Sequence, residues 1–163
     1  FPLSVYASIC FEQSYSEIEG DSASAAEVYA LLSSVGELPV SQNLAVTGSV
    51  NQMGDILPIG GISEKIDGFF SICEKLGING SQGVIIPRRN VRNVMLSRST
   101  LEAVKEGSFH IYPIDTIDEG LALLTGRYAG ARGARGEFPR GSVNLAIEHR
   151  LKEMANQVKN YSS

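Results

Sequence analysis

Two serines stand before the first predicted helix, in the stretch Glu19-Gly20-Asp21-Ser22-Ala23-Ser24-Ala25-Ala26-Glu27. The pattern Ser24-x-x-Glu27 is typical of a capping box, in which the serine hydroxyl accepts from a first-turn amide and the glutamate reaches back. Ser22 has no such structural role. It is expected at the positive end of the helix dipole, among unpaired backbone N–H groups. Such a position suits a nucleophile whose product is an oxyanion.

A serine hydroxyl reacts only when a base takes its proton, and the sequence offers two kinds of base. The first is a histidine, His110 or His149. The segment Gly20–Ser24 differs from the GxSxG pattern of Ser-His-Asp hydrolases only in its last residue, so such a hydrolase is one interpretation. It is disfavoured because the final glycine is missing and Ser22 comes too early for the sheet that precedes the nucleophile in that fold. His110 falls inside a predicted strand, where a structural role is expected.

The second possible base is Lys65, in Gly60-Gly61-Ile62-Ser63-Glu64-Lys65-Ile66. At 100° per residue the predicted helix has one apolar stripe, and Lys65 lies at its edge. The residues of that stripe are Ile62, Ile66, Phe69, Phe70, Cys73 and Leu76. Partial burial and the helix dipole are both expected to favour the neutral amine, which can act as a base. The alternative is a lysine whose stem merely covers apolar surface.

Three separated blocks of the chain resemble those of the Lon protease family (peptidase S16), most closely bacterial Lon-related ATP-dependent proteases of Lon-B-like type. The first block is Glu19–Ser24, in an acidic form of the family's nucleophile motif. The second is Val46-Thr47-Gly48-Ser49-Val50 with Leu57–Ile66, and the third is Gly83–Pro87 followed by Asn90. The similarity runs from about residue 5 to about residue 125.

The resemblance assigns Ser22 as nucleophile and Lys65 as its base, at the separation usual in the family. It implies that Thr47 forms a hydrogen bond near Lys65 and holds the pair in place, although a strand residue with no such role is the alternative. Gly20, Asp21 and Ala23 are expected to support the site. Asp21 is further expected to block or tune the site until the protein assembles.

The resemblance also implies an α/β (α+β) fold with mixed sheets, similar in part to the second domain of ribosomal protein S5. The implied activity is that of a serine endopeptidase acting on unfolded proteins or peptides, with no metal or cofactor in this domain. ATP, an ATPase domain of the same polypeptide and a homo-hexamer are expected of the full-length protein. The sequence itself has no Walker motif. The alternative is a catalytically silent module of the same fold that serves assembly or binding.

Composition sets the remaining expectations for this chain of 163 residues, of which 43% are hydrophobic. Length and composition predict a core domain over 1–126, a Gly/Arg-rich linker over 127–141 and an amphipathic helix over 142–163. Nucleic-acid binding by the linker arginines is a less favoured alternative.

Cys10 and Cys73 are expected to be free thiols, which suggests a cytoplasmic location. No apolar run is long enough to predict a membrane span. The start at Phe1 suggests a piece of a longer polypeptide.

Charge is distributed unevenly along the chain. Residues 1–80 have ten acidic and two basic side chains, whereas residues 81–163 have eight acidic and twelve basic ones. The acidic half is expected to be either ordinary surface or a docking face for a neighbouring subunit or domain.

Hydrophobic periodicity predicts strands that alternate with helices, which indicates an α/β domain. The expected strands are 3–12, 43–50, 56–59, 83–87 and 109–114, with a hairpin between the second and third. The expected helices are 24–36 with Gly36 as its cap, 62–76, 91–96, 101–106 and 117–124.

Overall fold

The computed structural model describes residues 7–9 and 20–161. The predicted strand over residues 3–12, with Cys10, lies outside this part except for residues 7–9, which form no strand. The described helices are α1 (Ser24–Gly36), α2 (Ile62–Leu76), a 3₁₀ helix (Arg88–Asn93), α3 (Arg98–Glu106), α4 (Ile117–Thr125) and α5 (Val143–Tyr161). The described strands are β1 (Leu44–Val46), β2 (Ser49–Val50), β3 (Ile56–Leu57), β4 (Gly83–Pro87) and β5 (His110–Ile114).

The strands form a parallel sheet and a small antiparallel hairpin. The parallel sheet has the order β1-β4-β5, with Val46 opposite Ile85 and Ile85 opposite Tyr112. In the hairpin, Ser49 of β2 pairs with Leu57 of β3. The expected α/β fold with mixed sheets is therefore confirmed.

Strand β4 is the centre of the domain, and all five of its residues are buried. A central parallel strand is covered on both faces, which explains its continuous apolar sequence. Ile85 faces a core formed with α1, α4 and α5, whereas Val84 and Ile86 face a second core formed with α2 and α3. In the second core the rings of Phe70 and Phe109 meet edge to face, with centroids 5.2 Å apart. The sheet is thus enclosed between two helical layers.

The predicted single strand over residues 43–50 is wrong, because the structure divides it into β1 and β2. Thr47 and Gly48 lie between the two strands. The Thr47 amide still bonds to the Ile85 carbonyl of β4 at 3.1 Å, but the Gly48 amide turns to the Ser22 carbonyl at 2.8 Å. The chain leaves the parallel sheet at this point, and the hairpin begins.

Three smaller expectations about the helices are also wrong. Helix α1 is capped by Glu37, in a left-handed conformation with φ 51°, and Gly36 is its last residue. Leu76 does not join the buried stripe of α2, since it is 83% exposed at the helix end. The predicted helix over 91–96 is instead the 3₁₀ helix, which ends at Asn93.

The C-terminal helix α5 packs on α1 in the core that contains Ile85, with Val143 and Ile147 buried. Gly36 permits this contact, since a Cβ there would come within 2.9 Å of the Ile147 side chain. A backbone hydrogen bond joins the two ends of the segment between α4 and α5, since the Val143 amide donates to the Tyr128 carbonyl at 3.0 Å. The division into core, linker and terminal helix stays a prediction.

Candidate active site

The structure brings Ser22 and Lys65 into direct contact. Lys65 Nζ lies 2.6 Å from Ser22 Oγ, within hydrogen-bond distance. Ser22 is half-buried and Lys65 is exposed. A primary amine this close to a hydroxyl can take the hydroxyl proton when the amine is neutral, as general-base catalysis requires.

Ser22 is held by the start of α1 and by the turn between β1 and β2. Ala23 is the N-cap of α1, so Ser22 lies just before the helix, as the sequence suggested. Its carbonyl accepts a hydrogen bond from the Gly48 amide at 2.8 Å. The Gly48 carbonyl accepts in turn from the Ala25 amide at 3.1 Å. Two backbone hydrogen bonds thus join the segment around the serine to the end of β1.

The capping box predicted for Ser24 and Glu27 is wrong. Ser24 is the first residue of α1 rather than its cap, and the N-cap position is occupied by Ala23, which makes no side-chain cap hydrogen bond. The Ser24 hydroxyl donates to the Asp21 carbonyl at 2.8 Å and accepts from the Val50 amide at 3.1 Å. A tertiary contact with Val50 of β2 thus replaces the hydrogen bonds predicted within the capping box. This contact links the segment around Ser22 to the hairpin.

Lys65 is positioned by α2, whose start and register match the sequence prediction. Gly61 precedes the helix with φ 65°, a left-handed conformation that favours glycine. Ile66 and Phe70 are 0% and 4% exposed and anchor the helix in the second core. This register leaves Lys65 beside the buried stripe, but the residue is exposed, so the burial expected for it is not seen.

Thr47 lies beside both residues. Its Oγ1 is 3.5 Å from Lys65 Nζ, and it donates to the Ser22 carbonyl at 3.3 Å. Both distances are long for hydrogen bonds, so each contact is a weak one. The position nevertheless agrees with the place that the resemblance implied for this threonine.

Asp21 is exposed, and its carboxylate accepts a hydrogen bond from the buried Ser49 hydroxyl at 2.7 Å. Its carboxylate is thus held by β2, while Lys65 contacts Ser22. Gly20 has φ 93°, which a residue with a side chain would rarely adopt. One continuous turn directly before α1 contains all four predicted site residues of this segment, namely Gly20, Asp21, Ser22 and Ala23.

The histidines take no part in this cluster. The His110 ring bonds through Nε2 to the Gly80 carbonyl at 2.8 Å, a structural contact. His149 is an exposed residue of α5. The Ser22 hydroxyl contacts the Lys65 amine, and this geometry does not support a Ser-His-Asp arrangement.

Sequence reasoning assigned no role in the site to three residues that shape it, although all three belong to the blocks that carry the resemblance. Gly48 bonds to Ser22, Ser49 holds Asp21, and Asn90 bonds to Ile59 just before α2. A glycine within a predicted strand does indicate a bend or a close backbone approach, and Gly48 could have been found by that signal. Neither Ser49 nor Asn90 has a local signal of this kind.

Within the described residues, no cluster of histidine, cysteine, aspartate or glutamate side chains could hold a metal ion. Over the same part of the chain, none of the helices combines the length and the apolar character needed to cross a membrane.

Comparison with known proteins gives matches over most of the chain. The family model of the Lon protease (S16) C-terminal proteolytic domain matches residues 15–126. A protein of Escherichia coli strain K12 named "Putative Lon protease homolog" is 52% identical over 118 residues, which are 72% of this chain and 20% of that protein. A Haemophilus influenzae protein of the same name is 48% identical over 121 residues, 74% of this chain and 20% of its own length.

An archaeal relative is more distant. The "Archaeal Lon protease" of Thermococcus kodakarensis is 37% identical over 113 residues, 69% of this chain and 16% of that protein. The chain thus spans about a fifth of the length of the bacterial relatives that it matches. Because the family match covers most of the chain and includes both Ser22 and Lys65, the protein belongs to the Lon protease (S16) C-terminal proteolytic domain family, a family of proteases.

Proposed function

We propose that this chain is a serine endopeptidase domain that hydrolyses peptide bonds with a Ser22–Lys65 dyad. One observation carries the proposal: Lys65 Nζ lies 2.6 Å from Ser22 Oγ. Membership of a protease family supports the same reaction class. The geometry therefore supports amine-assisted nucleophilic attack by a serine.

In the first step, the Ser22 oxygen bonds to the carbonyl carbon of the scissile peptide, and its proton passes to neutral Lys65. The carbonyl oxygen becomes a tetrahedral oxyanion. When the C–N bond breaks, the Lys65 ammonium returns the proton to the leaving amine, and an acyl-Ser22 ester remains. A water molecule then attacks the ester with Lys65 again as base, which releases the acid and restores the serine.

The oxyanion needs hydrogen-bond donors that are already in place. Ser22 and Ala23 lie before the first turn of α1, where backbone amides have no partner within the helix. Among the described residues, no backbone carbonyl in a turn or loop accepts a hydrogen bond from either of these two amides. They are our candidates for the oxyanion hole, and the positive end of the helix dipole acts in the same direction.

We further propose that the full-length protein is ATP-dependent and cytoplasmic, forms a homo-hexamer and acts on unfolded proteins or peptides. In this scheme an ATPase domain of the same polypeptide delivers the substrate, and the present domain needs no cofactor of its own. Support comes from the named relatives, which are about five times as long as their match to this chain.

The test is hydrolysis of a fluorogenic, unstructured peptide by wild type, Ser22→Ala and Lys65→Ala. Lys75→Ala is the matched control, because Lys75 is an exposed lysine of the same helix. We expect activity in wild type and Lys75→Ala, and its loss by about 10³-fold or more in both dyad variants.

If the wild-type chain is inactive, the same assay on the full-length protein with ATP decides between two outcomes. Activity there that depends on Ser22 and Lys65 would mean that assembly switches on the site. No activity there would refute the protease proposal and favour a silent module that serves assembly or binding.

A further inference from the structure

Asn90 is a buried polar residue, only 3% exposed, within the 3₁₀ helix that follows β4. Its side chain makes two hydrogen bonds to one residue. The Ile59 amide donates to Asn90 Oδ1 at 2.9 Å, and Asn90 Nδ2 donates to the Ile59 carbonyl at 2.8 Å. One side-chain amide thus pairs with both backbone groups of Ile59, as a neighbouring strand would.

Ile59 belongs to the short segment that leads into α2, the helix that carries Lys65. It lies two residues before Gly61, the N-cap of α2, and Lys65 is in the first turn of that helix. A displacement of this lead-in segment would move the start of α2 and the Lys65 amine together. Catalytic geometry tolerates little movement, since a shift of about 1 Å can cost about 100-fold in rate.

Both halves of the dyad are connected to β4. On the serine side, the Ile85 carbonyl accepts from the Thr47 amide at 3.1 Å, and the next amide, that of Gly48, bonds to the Ser22 carbonyl at 2.8 Å. On the lysine side, Asn90 follows three residues after the end of β4 and holds Ile59. The distance between Ser22 and Lys65 is therefore set by two sets of contacts that begin on one buried strand.

We propose that Asn90 is a positioning residue for Lys65, acting through the backbone of Ile59 and the start of α2. The inference rests on the proposed function for its catalytic meaning, but the contact between Lys65 and Ser22 can be measured without any reaction. Both Asn90 hydrogen bonds go to the segment before α2. A role confined to its own 3₁₀ helix would not require them.

The first test is NMR of the 163-residue chain with isotopically labelled lysine side chains. The Lys65 signal is identified by its absence in Lys65→Arg, and Ser22→Ala shows where it moves when the serine contact is lost. We expect Asn90→Ala to move the signal toward the Ser22→Ala position, and Asn90→Asp, which keeps an acceptor for the Ile59 amide, to move it less. The matched control is Asn93→Ala, an exposed asparagine of the same 3₁₀ helix, which should leave the signal in place.

A folded Asn90→Ala variant with an unmoved Lys65 signal would overturn the inference, as would an equal movement in Asn93→Ala. Loss of folding in both Asn90→Ala and Asn90→Asp would overturn it too, because Asn90 would then support the whole fold rather than the position of Lys65. Thermal melting of each variant separates these cases.

Peptide hydrolysis is the second test. We expect Asn90→Ala to lower kcat by about 10- to 100-fold with little change in KM, because the base is displaced while substrate contacts remain. An unchanged kcat in an active chain would count against the inference. If wild type hydrolyses no peptide, the proposed function fails by itself, and the Lys65 signal still decides the role of Asn90.

Discussion

Lys65 Nζ lies 2.6 Å from Ser22 Oγ, although 43 positions of sequence separate the two residues. The serine precedes a helix of one layer, and the lysine lies on a helix of the other layer. Their contact thus depends on how both layers pack against β4. This dependence makes the site testable by changes at the dyad and by changes in the packing that supports it.

The first prediction concerns the base. Lys65 must be neutral to accept the Ser22 proton, so a side chain that stays protonated cannot replace it. Lys65→Arg keeps the positive charge but removes a usable base, since arginine stays protonated. Steady-state peptide hydrolysis should therefore fall by about 10³-fold in this variant. A rate close to that of wild type in Lys65→Arg would exclude Lys65 as the base.

The second prediction concerns Thr47. Thr47→Val keeps the branched shape of the side chain and removes the hydroxyl that lies between Ser22 and Lys65. Because its two contacts are weak, we expect kcat to fall by only about 3- to 10-fold. Thr47→Ser retains the hydroxyl and should remain close to wild type. A Val variant as fast as wild type would leave Thr47 with a strand role alone.

The third prediction concerns Asp21, whose carboxylate is held by Ser49 at 2.7 Å. If this carboxylate restrains the dyad, Asp21→Asn should raise the peptide hydrolysis rate of the chain. Ser49→Ala frees the carboxylate to approach the Lys65 amine and should lower the rate. The double variant should behave like Asp21→Asn, because the restraining charge is gone. A fully active wild type with no gain in Asp21→Asn would rule out this restraint.

The fourth prediction compares two helical glycines. A Cβ at Gly120 of α4 would overlap the Tyr29 hydroxyl, whereas a Cβ at Gly68 of α2 would meet nothing within 4 Å. Gly120→Ala should therefore destabilise the fold by about 1–3 kcal/mol. Gly68→Ala should stabilise it by about 0.5–1 kcal/mol, because alanine has the higher helix propensity. Urea unfolding of both variants measures the difference, and equal signs would contradict this packing argument.

The fifth prediction concerns Tyr29, which is 3% exposed with a hydroxyl that has no partner among the described residues. Burial, and to a lesser extent Asp118 and Glu119, raises the pKa of this hydroxyl. The folded chain thus holds the proton more tightly than the unfolded chain, whose tyrosine titrates near pH 10. This contribution to stability is complete below about pH 10 and is lost as the pH rises further.

Tyr29→Phe removes both the unpaired hydroxyl and its titration. Unfolding by urea at neutral pH should show unchanged or slightly higher stability, by up to about 1 kcal/mol. Above about pH 10, wild type should lose more stability than the variant does. The exposed Tyr128→Phe serves as control and should follow wild type. A strong loss of stability in Tyr29→Phe at neutral pH would show that the hydroxyl has a partner.

Much of the fold could be predicted from local sequence. The stripe of α2 and the glycine that ends it predict a helix over 62–76, and the apolar run 83–87 predicts a buried strand, as observed. Periodicity and helix-ending residues report which side of an element is buried and where it stops. The resemblance of three blocks added the assignment of Ser22, Lys65 and Thr47, which periodicity alone left open.

Tertiary structure decided the rest, because the interactions concerned join residues far apart in sequence. The strand predicted over 43–50 is divided because the Gly48 amide donates to the Ser22 carbonyl. The Ser24 hydroxyl, predicted to cap α1, instead accepts a hydrogen bond from the Val50 amide. The pairing of Asn90 with Ile59 spans 31 positions and has no periodicity to reveal it. The sequence by itself determined most of the helices, the later strands β3, β4 and β5, and the chemical groups of the site. Only packing against β4 determined that a serine and a lysine from two layers meet, since the distance between them is set by contacts that neither segment contains.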